Sequence, residues 1–249
     1  MPFGCVNYRQ RLSFFNLAEV DSMRNQFIFA IHKPIGISSF DVIRKLRKIT
    51  NIRKIGHAGT LDPLAEGVLV VGITRNGTRQ LNQLLKCNKE YLAQIKLGAT
   101  TETGDREMVE TVVEVESKPT QEEVEKVLQT FVGETEQKPH HYSAVKIQGQ
   151  PAYKRVRRGE KVKIEPKKVV IHRLTIEKYN YPLLTVRAEV GSGVYIRSLA
   201  RDLGEKLKTG AYLTSLVRTR VGEYSVDDAF TLEQFSKKWG SGEINVDQS

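Results

Sequence analysis

Cysteine is scarce in this sequence, and long apolar runs are absent from it. The 249 residues include two cysteines, Cys5 and Cys87, and neither stands in the C-x-x-C spacing of a metal site. Two thiols do not supply a disulfide framework for a chain of this length, which indicates a reducing compartment and predicts a cytoplasmic protein without a bound metal. No apolar run approaches the roughly 20 residues of a membrane helix, so we expect no membrane association.

Targeting signals are also missing. The first residues lack a basic start followed by an apolar core, and the acids of "LAEVD" are atypical of an organellar presequence. Ordered patterning begins at "FIFAIHKP", which predicts an N-terminal extension over residues 1–26 and makes Met23 an alternative start. The length suits one sizeable core, or a core with a small appended lobe, and we predict one domain over residues 27–238 and a polar tail over residues 239–249.

Acidic residues are outnumbered by basic ones. Lysine and arginine total 39 against 29 aspartates and glutamates, so the formal net charge is +10. A nucleic acid is therefore the favoured partner, and a basic surface that serves only solubility is the alternative. Residues 146–173 carry ten bases and two acids. That stretch predicts an extended arm that contacts phosphates and bases, with a solvated charged loop as the other interpretation.

Hydrophobic periodicity predicts strands and helices that do not alternate regularly. The predicted strands are "QFIFAIHKPIG", "EYLAQIKLG", "TVVEVESK", "KKVVIHRLTIEKYN", "LLTVRAEV" and "GVYIR". The run "GVLVVGI" predicts either a buried strand or the start of a tightly packed helix. The predicted helices are "SSFDVIRKLRKIT", with Ser38 and Asp41 as a capping box, "TQEEVEKVLQTFVG" and "SLARDLGEKL". This order favours an α+β sheet domain over a doubly wound one.

The stretch "KIGHAGTLDPLAEGVLVVGI" contains the first candidate for chemistry, Asp62. Taken alone, Asp62 before Pro63 predicts a helix N-cap with proline at the first helical position. Gly56 and Gly59 indicate that the preceding loop brings backbone close to another group, and His57 has no apolar neighbours that would bury it. The local sequence leaves both a cap and a catalytic carboxylate open.

"GSGVYIRSLARDLG" contains a second polar cluster. On a strand "GVYIR", Tyr195 and Arg197 lie on one face. An arginine that is not exposed needs an acid partner, because an unpaired buried charge is costly. Asp62 is one candidate, and this pairing would keep its carboxylate ionised. Asp202 on the following helix is the local alternative.

Blocks of the sequence occur in the order of a known family. They are "HKPIGISSF", "GHAGTLDPLAEGVL", "KEYLAQIKLGATTETGD", "HYSAVKIQGQPAYKRVRRGE", "GVYIRSLARDLG" and "LTSLVRTRVGEY". Together they resemble the bacterial TruB family of tRNA pseudouridine synthases. The resemblance implies the catalytic fold of that family, a central mixed and mostly antiparallel sheet flanked by helices.

The resemblance implies catalytic roles for four residues. Asp62 matches the catalytic aspartate, acting as nucleophile, and Tyr91 matches the tyrosine that stacks on the target uracil. Tyr195 matches a second active-site tyrosine, and Arg197 matches the arginine that pairs with the catalytic acid. We expect these four residues to act on one uridine.

Binding and structural roles follow from the same resemblance. Leu216 matches an apolar wall of the pocket, and His57 matches a histidine that fills the space vacated by flipped bases. Lys33 and Pro34 match a pair that is mainly structural. Residues 137–168 resemble a thumb that grips the T-arm. The thumb cations expected to bind RNA are Lys154, Arg155, Arg157 and Arg158.

The implied reaction converts the T-loop uridine, position 55 of the standard tRNA numbering, to pseudouridine. Such an isomerisation needs no metal, redox cofactor or energy source, so none is expected. It does need an ionised carboxylate beside the sugar or base, a flat aromatic ring and a pocket that keeps water out. The base must first be flipped out of the folded loop.

Some features depart from the family. His140 and His141 stand where it more often has apolar residues or proline, and we expect its common C-terminal PUA domain to be absent. The nearest enzyme alternative is the guide-RNA branch of archaea and eukaryotes. A noncatalytic RNA-binding or tRNA-folding protein is the alternative from another class. We expect a monomer that binds tRNA.

Overall fold

The computed structural model describes residues 27–142, 145–147, 149–156, 158–160 and 162–246. Its strands are β1 (Ile28–Lys33), β2 (Ile55–His57), β3 (Glu66–Ile73), β4 (Lys89–Leu97), β5 (Ala99–Thr100), β6 (Thr111–Val112), β7 (Gly133–Gln137), β8 (Lys146–Ile147), β9 (Gln150–Pro151), β10 (Lys167–Asn180), β11 (Leu183–Val190), β12 (Ala211–Val221) and β13 (Tyr224–Ser225). Its helices are α1 (Ser39–Thr50), α2 (Thr74–Leu84), α3 (Gln121–Gln129), α4 (Ala152–Val156), α5 (Ile196–Lys206) and α6 (Leu232–Gly240).

The chain divides into two compact units. Among the described residues, the first unit comprises 27–89 and 218–246, and the second comprises 90–217. Both contain antiparallel strands and helices that do not alternate regularly, so the predicted α+β class is confirmed. The bounds 27–238 for a single domain stay a prediction.

Strand β3 is the centre of the first unit. It pairs antiparallel with β1, where Ile31 lies opposite Leu69, and with β2, where His57 lies opposite Val71. Its side chains alternate between two buried clusters, with Leu69 and Val71 in one and Val68 in the other. Both faces of β3 are therefore covered, which explains why "GVLVVGI" is a continuous apolar run.

Helices α1 and α6 cover one face of this sheet. Val42 and Leu46 of α1 and Phe235 of α6 are buried in the same cluster. The predicted capping box at the start of α1 is confirmed: Ser38 Oγ accepts from the Asp41 amide, and the Asp41 carboxylate accepts from the Ser38 amide.

Part of the segment predicted as a polar tail packs against the core of the first unit. Val246 is 2% exposed and belongs to the core cluster of the first unit. Trp239 and Ile244 are partly buried against the same cluster. Three apolar side chains within eight residues thus continue the packing of α6.

Helix α2 packs against the other face of the sheet at unusually short range. A Cβ atom on Gly72 of β3 would lie 2.6 Å from the backbone of Gly77 in α2. Glycine at this position permits the close approach, because any side chain would displace the helix.

Five strands form the sheet of the second unit, in the order β12 (by its residues 211–217), β4, β11, β10, β7. β10 and β11 are an antiparallel hairpin with Ile176 opposite Val186, and β7 pairs with β10 with Thr135 opposite Val169. The predicted strands "EYLAQIKLG", "KKVVIHRLTIEKYN" and "LLTVRAEV" are confirmed as β4, β10 and β11.

Helix α3 begins where the sequence predicts. Thr120 and Glu123 form a capping box at its start, and Val124 and Leu128 are buried on one side of it.

Two predicted strands are wrong in whole or in part. In "TVVEVESK" only the first two residues, Thr111 and Val112, pair as β6, and both are exposed, so the valine-glutamate alternation has no buried face to stabilise a longer strand. "GVYIR" is not a strand. Gly193 has a φ of +90°, and Tyr195 is the N-cap of α5, so Arg197 lies in the first helical turn.

Within the described residues, no helix combines the length and apolar character that a membrane span requires.

Candidate active site

Asp62 lies in the connection from β2 to β3. The Ala65 amide donates to the Asp62 carbonyl across 3.1 Å, which closes a four-residue turn with Pro63 at its second position. β3 begins at Glu66 directly afterwards. The predicted helix cap is therefore wrong. An Asp-Pro step also starts tight turns, and the apolar run beyond it joins the sheet.

The residues on both sides of Asp62 are hydrogen-bonded to the segment that leads from β1 into the first residue of α1. Ser39 Oγ accepts from the Leu61 amide at 2.9 Å and donates to the Leu61 carbonyl at 3.1 Å. The Gly36 amide donates to the Pro63 carbonyl at 2.8 Å. The backbone that carries the carboxylate is thus held at two points within three residues.

Lys33 lies beneath this loop with no exposed surface. Its ammonium donates to the Ile37 carbonyl at 2.7 Å and the Pro34 carbonyl at 2.9 Å. Burial lowers the pKa of Lys33 to about 8, against the opposing attraction of Asp62 and Glu66. The structural role of Lys33 and Pro34 stays a prediction.

Arg218 braces the same loop, and sequence analysis missed it. The side chain is 1% exposed; Nε donates to the Val68 carbonyl at 2.7 Å and a terminal nitrogen donates to the Gly59 carbonyl at 3.1 Å. A Cβ on Gly67 would lie 2.3 Å from the Arg218 carbonyl oxygen, which explains this glycine. The sequence did contain a signal for Arg218, because this residue belongs to the family block "LTSLVRTRVGEY". Within that block only Leu216 had received a role.

His57 ends β2 and is half-buried. Burial lowers its pKa, and the nearby cation of Arg218 lowers it further, against the effect of a hydrogen bond to the Gly59 backbone. Its Nδ1 is buried and has no hydrogen-bond partner in the part of the chain that the structure describes. A neutral imidazole beside the Asp62 loop agrees with a binding role, which stays a prediction.

Arg197 is held in the second unit by a buried carboxylate. Its guanidinium lies 3.0 Å from Asp105 Oδ2 and also donates to the carbonyls of Thr103 at 3.2 Å and Tyr142 at 3.1 Å. The local alternative partner, Asp202, accepts instead from Arg201 at 2.6 Å. The pairing with Asp62 that the sequence suggested stays a prediction.

Asp105 is the second residue that sequence analysis missed. Its side chain has no exposed surface, and Oδ1 accepts from Thr103 Oγ1 at 2.6 Å and from the Glu107 amide at 3.0 Å. With Arg197, three donors surround the carboxylate and offset the cost of burying it. Asp105 is the last residue of "KEYLAQIKLGATTETGD", the block in which only Tyr91 had received a role.

Tyr91 and Leu216 lie in neighbouring strands of the same unit, β4 and β12. Tyr91 is 9% exposed and Leu216 is 7% exposed. Along β4 buried and half-buried side chains alternate, so Tyr91 and Ala93 share the buried face, and Gln94 lies on the opposite face. The roles of Tyr91 and Leu216 as stacking ring and pocket wall stay predictions.

His140 packs against the Arg197 cluster. Its ring stacks on Tyr142 with centroids 6.0 Å apart, and its Nδ1 accepts from the Tyr142 amide at 3.3 Å. Burial lowers the pKa of His140 to about 4, and the positive charges of Arg197 and Arg201 act in the same direction. The imidazole is therefore neutral at pH 7.

The predicted extended arm has structure of its own. β8 and β9 form a hairpin, α4 follows it, and Ala152, Val162 and Ile164 make a small buried cluster. Arg155 Nε pairs with Glu160 at 2.6 Å, whereas Arg158 is exposed. Arg157 and the side chain of Lys154 lie outside the described residues.

Metal ligands are not grouped in the described part of the chain: no three His, Cys, Asp or Glu side chains there could hold one ion together.

Comparisons with known proteins agree with this architecture. Residues 47–196 match the family model "TruB family pseudouridylate synthase (N terminal domain)", and residues 197–245 match "tRNA pseudouridylate synthase B C-terminal domain". Two relatives carry the name tRNA pseudouridine synthase B. The one from Corynebacterium diphtheriae is 41% identical over 87% of this chain and 74% of its own length. The one from Bacteroides fragilis strain YCH46 is 40% identical over 84% of this chain and 92% of its own length.

Solved structures agree on the fold. The chain resembles one in the structure "Crystal Structure of a Cbf5-Nop10-Gar1 Complex", with a TM-score of 0.68 and 26% identity over 91% of this chain. A chain in "Structure of H/ACA RNP bound to a substrate RNA containing 2'-deoxyuridine" gives a TM-score of 0.66 at 24% identity. The present chain spans 59% and 58% of those two chains. The fold predicted from the resemblance is confirmed.

Proposed function

The chain belongs to the TruB family of pseudouridylate synthases, which are isomerases, and we propose that it converts the T-loop uridine of tRNA to pseudouridine with Asp62 as the catalytic carboxylate. The observation that carries the proposal is the position of Asp62 on a turn whose two neighbouring residues are both held by hydrogen bonds, Leu61 to Ser39 at the start of α1 and Pro63 to Gly36 in the connection before it. Such a turn presents a carboxylate in one place, which a reaction at a single carbon atom requires.

The chemistry is an exchange of two bonds to the sugar. The bond from uracil N1 to C1′ breaks, uracil rotates, and a bond from C5 to C1′ forms; C5 then loses its proton to solvent and N1 gains one. Atoms and electrons balance within the nucleoside and water. Asp62 stabilises or attacks the electron-poor centre that forms when the first bond breaks.

Other residues have the supporting roles that the family resemblance implies. Tyr91 holds the loosened base by stacking, Leu216 provides an apolar wall, and Tyr195 is the second aromatic residue of the site. Arg197 supplies a fixed positive charge that favours the ionised form of the catalytic carboxylate. Asp105 holds the Arg197 guanidinium in place at 3.0 Å.

RNA binding rests on the positive charge of the chain and on the thumb, which we define as residues 137–168. The net charge of +10 attracts an RNA, and the exposed Arg158 is available for phosphates, with Lys154 and Arg157 as further candidates. Arg155 has an ion pair with Glu160, so we assign it mainly to holding the thumb together. His57 fills the space that the flipped base leaves.

The test is release of the C5 hydrogen. A T-arm stem-loop RNA labelled with tritium at uracil C5 should lose one tritium per molecule when the protein is added, and the same RNA with cytidine at the target position should lose none. In cells that lack the gene, sequencing should find uridine at this tRNA position, and complementation should restore pseudouridine. Binding of the RNA without tritium release would contradict the proposal and favour a noncatalytic RNA-binding protein.

A further inference from the structure

Gln137 makes an unusual contact in the second unit. It is the last residue of β7, where the thumb begins, and it is 4% exposed. Its Oε1 accepts from the Tyr195 amide at 2.7 Å, and its Nε2 donates to the Tyr195 carbonyl at 3.1 Å. One side-chain amide thus binds both backbone polar groups of one residue and fixes the orientation of that residue.

The contact with Tyr195 affects the start of helix α5. Tyr195 is the N-cap of α5, and within the described residues its own side chain does not make the usual cap hydrogen bond to the helix. Its amide precedes the helix and has no intrahelical acceptor, while its carbonyl already accepts the first helical bond, from the Leu199 amide at 3.1 Å. Gln137 therefore supplies an acceptor for the Tyr195 amide and anchors the first turn of α5, which carries Arg197.

Two other contacts join the start of the thumb to α5. Arg201 donates to the Lys138 carbonyl at 3.0 Å, and Arg197 donates to the Tyr142 carbonyl at 3.1 Å. Both involve charged side chains with further partners. Gln137 differs because it is neutral, and both hydrogen bonds of its side-chain amide go to Tyr195.

We propose that Gln137 is a positioning residue of the isomerase reaction: it fixes the backbone of Tyr195, and through it the first turn of α5, to the residue at which the thumb begins. The proposal rests on the proposed function and adds to it a residue with no assigned role. Gln137 does not touch the uridine. Its loss should slow the chemical step, because small displacements of catalytic groups lower rates strongly, and RNA affinity should change little.

The test compares Gln137→Met with wild type and with Gln94→Met. Methionine keeps the volume of glutamine and removes both hydrogen bonds. Gln94 is a matched control because its side chain accepts from Thr214 Oγ1 at 2.9 Å on the face of β4 opposite Tyr91. For each protein we would measure the single-turnover rate of tritium release, the Kd for the T-arm RNA, and hydrogen exchange at the Tyr195 amide by NMR.

We expect Gln137→Met to release tritium at least tenfold more slowly, to bind RNA within threefold of wild type, and to exchange the Tyr195 amide at least tenfold faster. Gln94→Met should stay within twofold in all three measurements. The proposal is overturned if Gln137→Met keeps a wild-type rate, or if Gln94→Met slows as much, since general loss of stability would then explain both.

A second variant covers the case in which Gln137→Met does not fold. Gln137→Glu keeps an acceptor for the Tyr195 amide and loses the donor to the Tyr195 carbonyl, so its rate should fall at least threefold; a wild-type rate would overturn the proposal. If the wild-type protein releases no tritium, the proposed function fails instead. The exchange rate at Tyr195 still tests the contact itself in that case.

Discussion

Arg197 and Asp105 form an ion pair at 3.0 Å in which the arginine side chain is 9% exposed and the aspartate side chain is fully buried. They are 92 positions apart in the sequence. Such a pair contributes little net stability compared with apolar packing, but removing one member leaves the other charge without its compensation. The role of this ion pair is to fix the position of the Arg197 guanidinium, which the proposed reaction uses.

Replacing Asp105 should therefore cost far more than replacing the acid of an ion pair that solvent reaches. We expect Asp105→Ala to lower the free energy of unfolding by about 3 kcal/mol or more, as measured by denaturant unfolding. Glu189→Ala is the matched control, because it removes the partner of Arg173, whose side chain is 64% exposed. That change should cost about 1 kcal/mol or less. Equal losses for the two variants would contradict the account of a buried pair.

His140 should make stability depend on pH. The pKa of His140 is lowered to about 4 in the folded protein, against an ordinary value of 6.5. The unfolded chain thus takes up the proton first as the pH falls. The free energy of unfolding should decrease by about 3 kcal/mol between pH 6.5 and pH 4 through this group, with no contribution above that window.

The measurement is unfolding at a series of pH values for wild type and His140→Asn, whose side-chain oxygen replaces the imidazole acceptor for the Tyr142 amide. The variant should lose less stability on acidification than wild type. His57 also has a lowered pKa, so some acid sensitivity remains in the variant. Identical pH profiles would show that the His140 imidazole is not buried as described.

The thumb arginines should differ in their effect on the salt dependence of RNA binding. Arg158→Gln should reduce the slope of log Kd against log salt concentration by somewhat less than one unit, since each phosphate contact contributes roughly 0.7 to 0.9. Arg155→Gln should change the slope less, because Arg155 pairs with Glu160. Replacing Lys154, Arg155, Arg157 and Arg158 together should flatten the slope most. An unchanged slope in the fourfold variant would make the thumb a solvated loop.

Local rules predicted much of the fold. The strands β10 and β11, the capping box of α1 and the start of α3 agree with the sequence because their periodicity and end signals are encoded within a few residues. Elements whose form depends on distant packing were predicted less well. Tyr195 caps a helix rather than lying in a strand, because Gly193 turns the chain and Gln137 binds the Tyr195 backbone from 58 positions away.

The candidate site divides in the same way. Motif resemblance singled out Asp62 and Arg197 as candidates. The residues that contact the Asp62 loop and Arg197, which are Arg218 and Asp105, became visible only through their contacts. Both lie inside sequence blocks that resemble the family, but the resemblance assigned a role to neither residue. The sequence indicates that a buried arginine needs an acidic partner, because an unpaired buried charge is destabilising. Which acid is the partner depends on the fold.

The rate at which an Asp62→Asn variant converts uridine to pseudouridine tests the catalytic role of Asp62 most directly. Asparagine has nearly the same shape as aspartate and cannot act as an ionised carboxylate, so we expect tritium release from the T-arm RNA to fall to background while the Kd stays within about threefold of wild type. Asp227→Asn, a change at an exposed aspartate of the same unit, should keep the wild-type rate. Tritium release by Asp62→Asn at the rate of wild type would contradict the assignment of Asp62 as the catalytic residue.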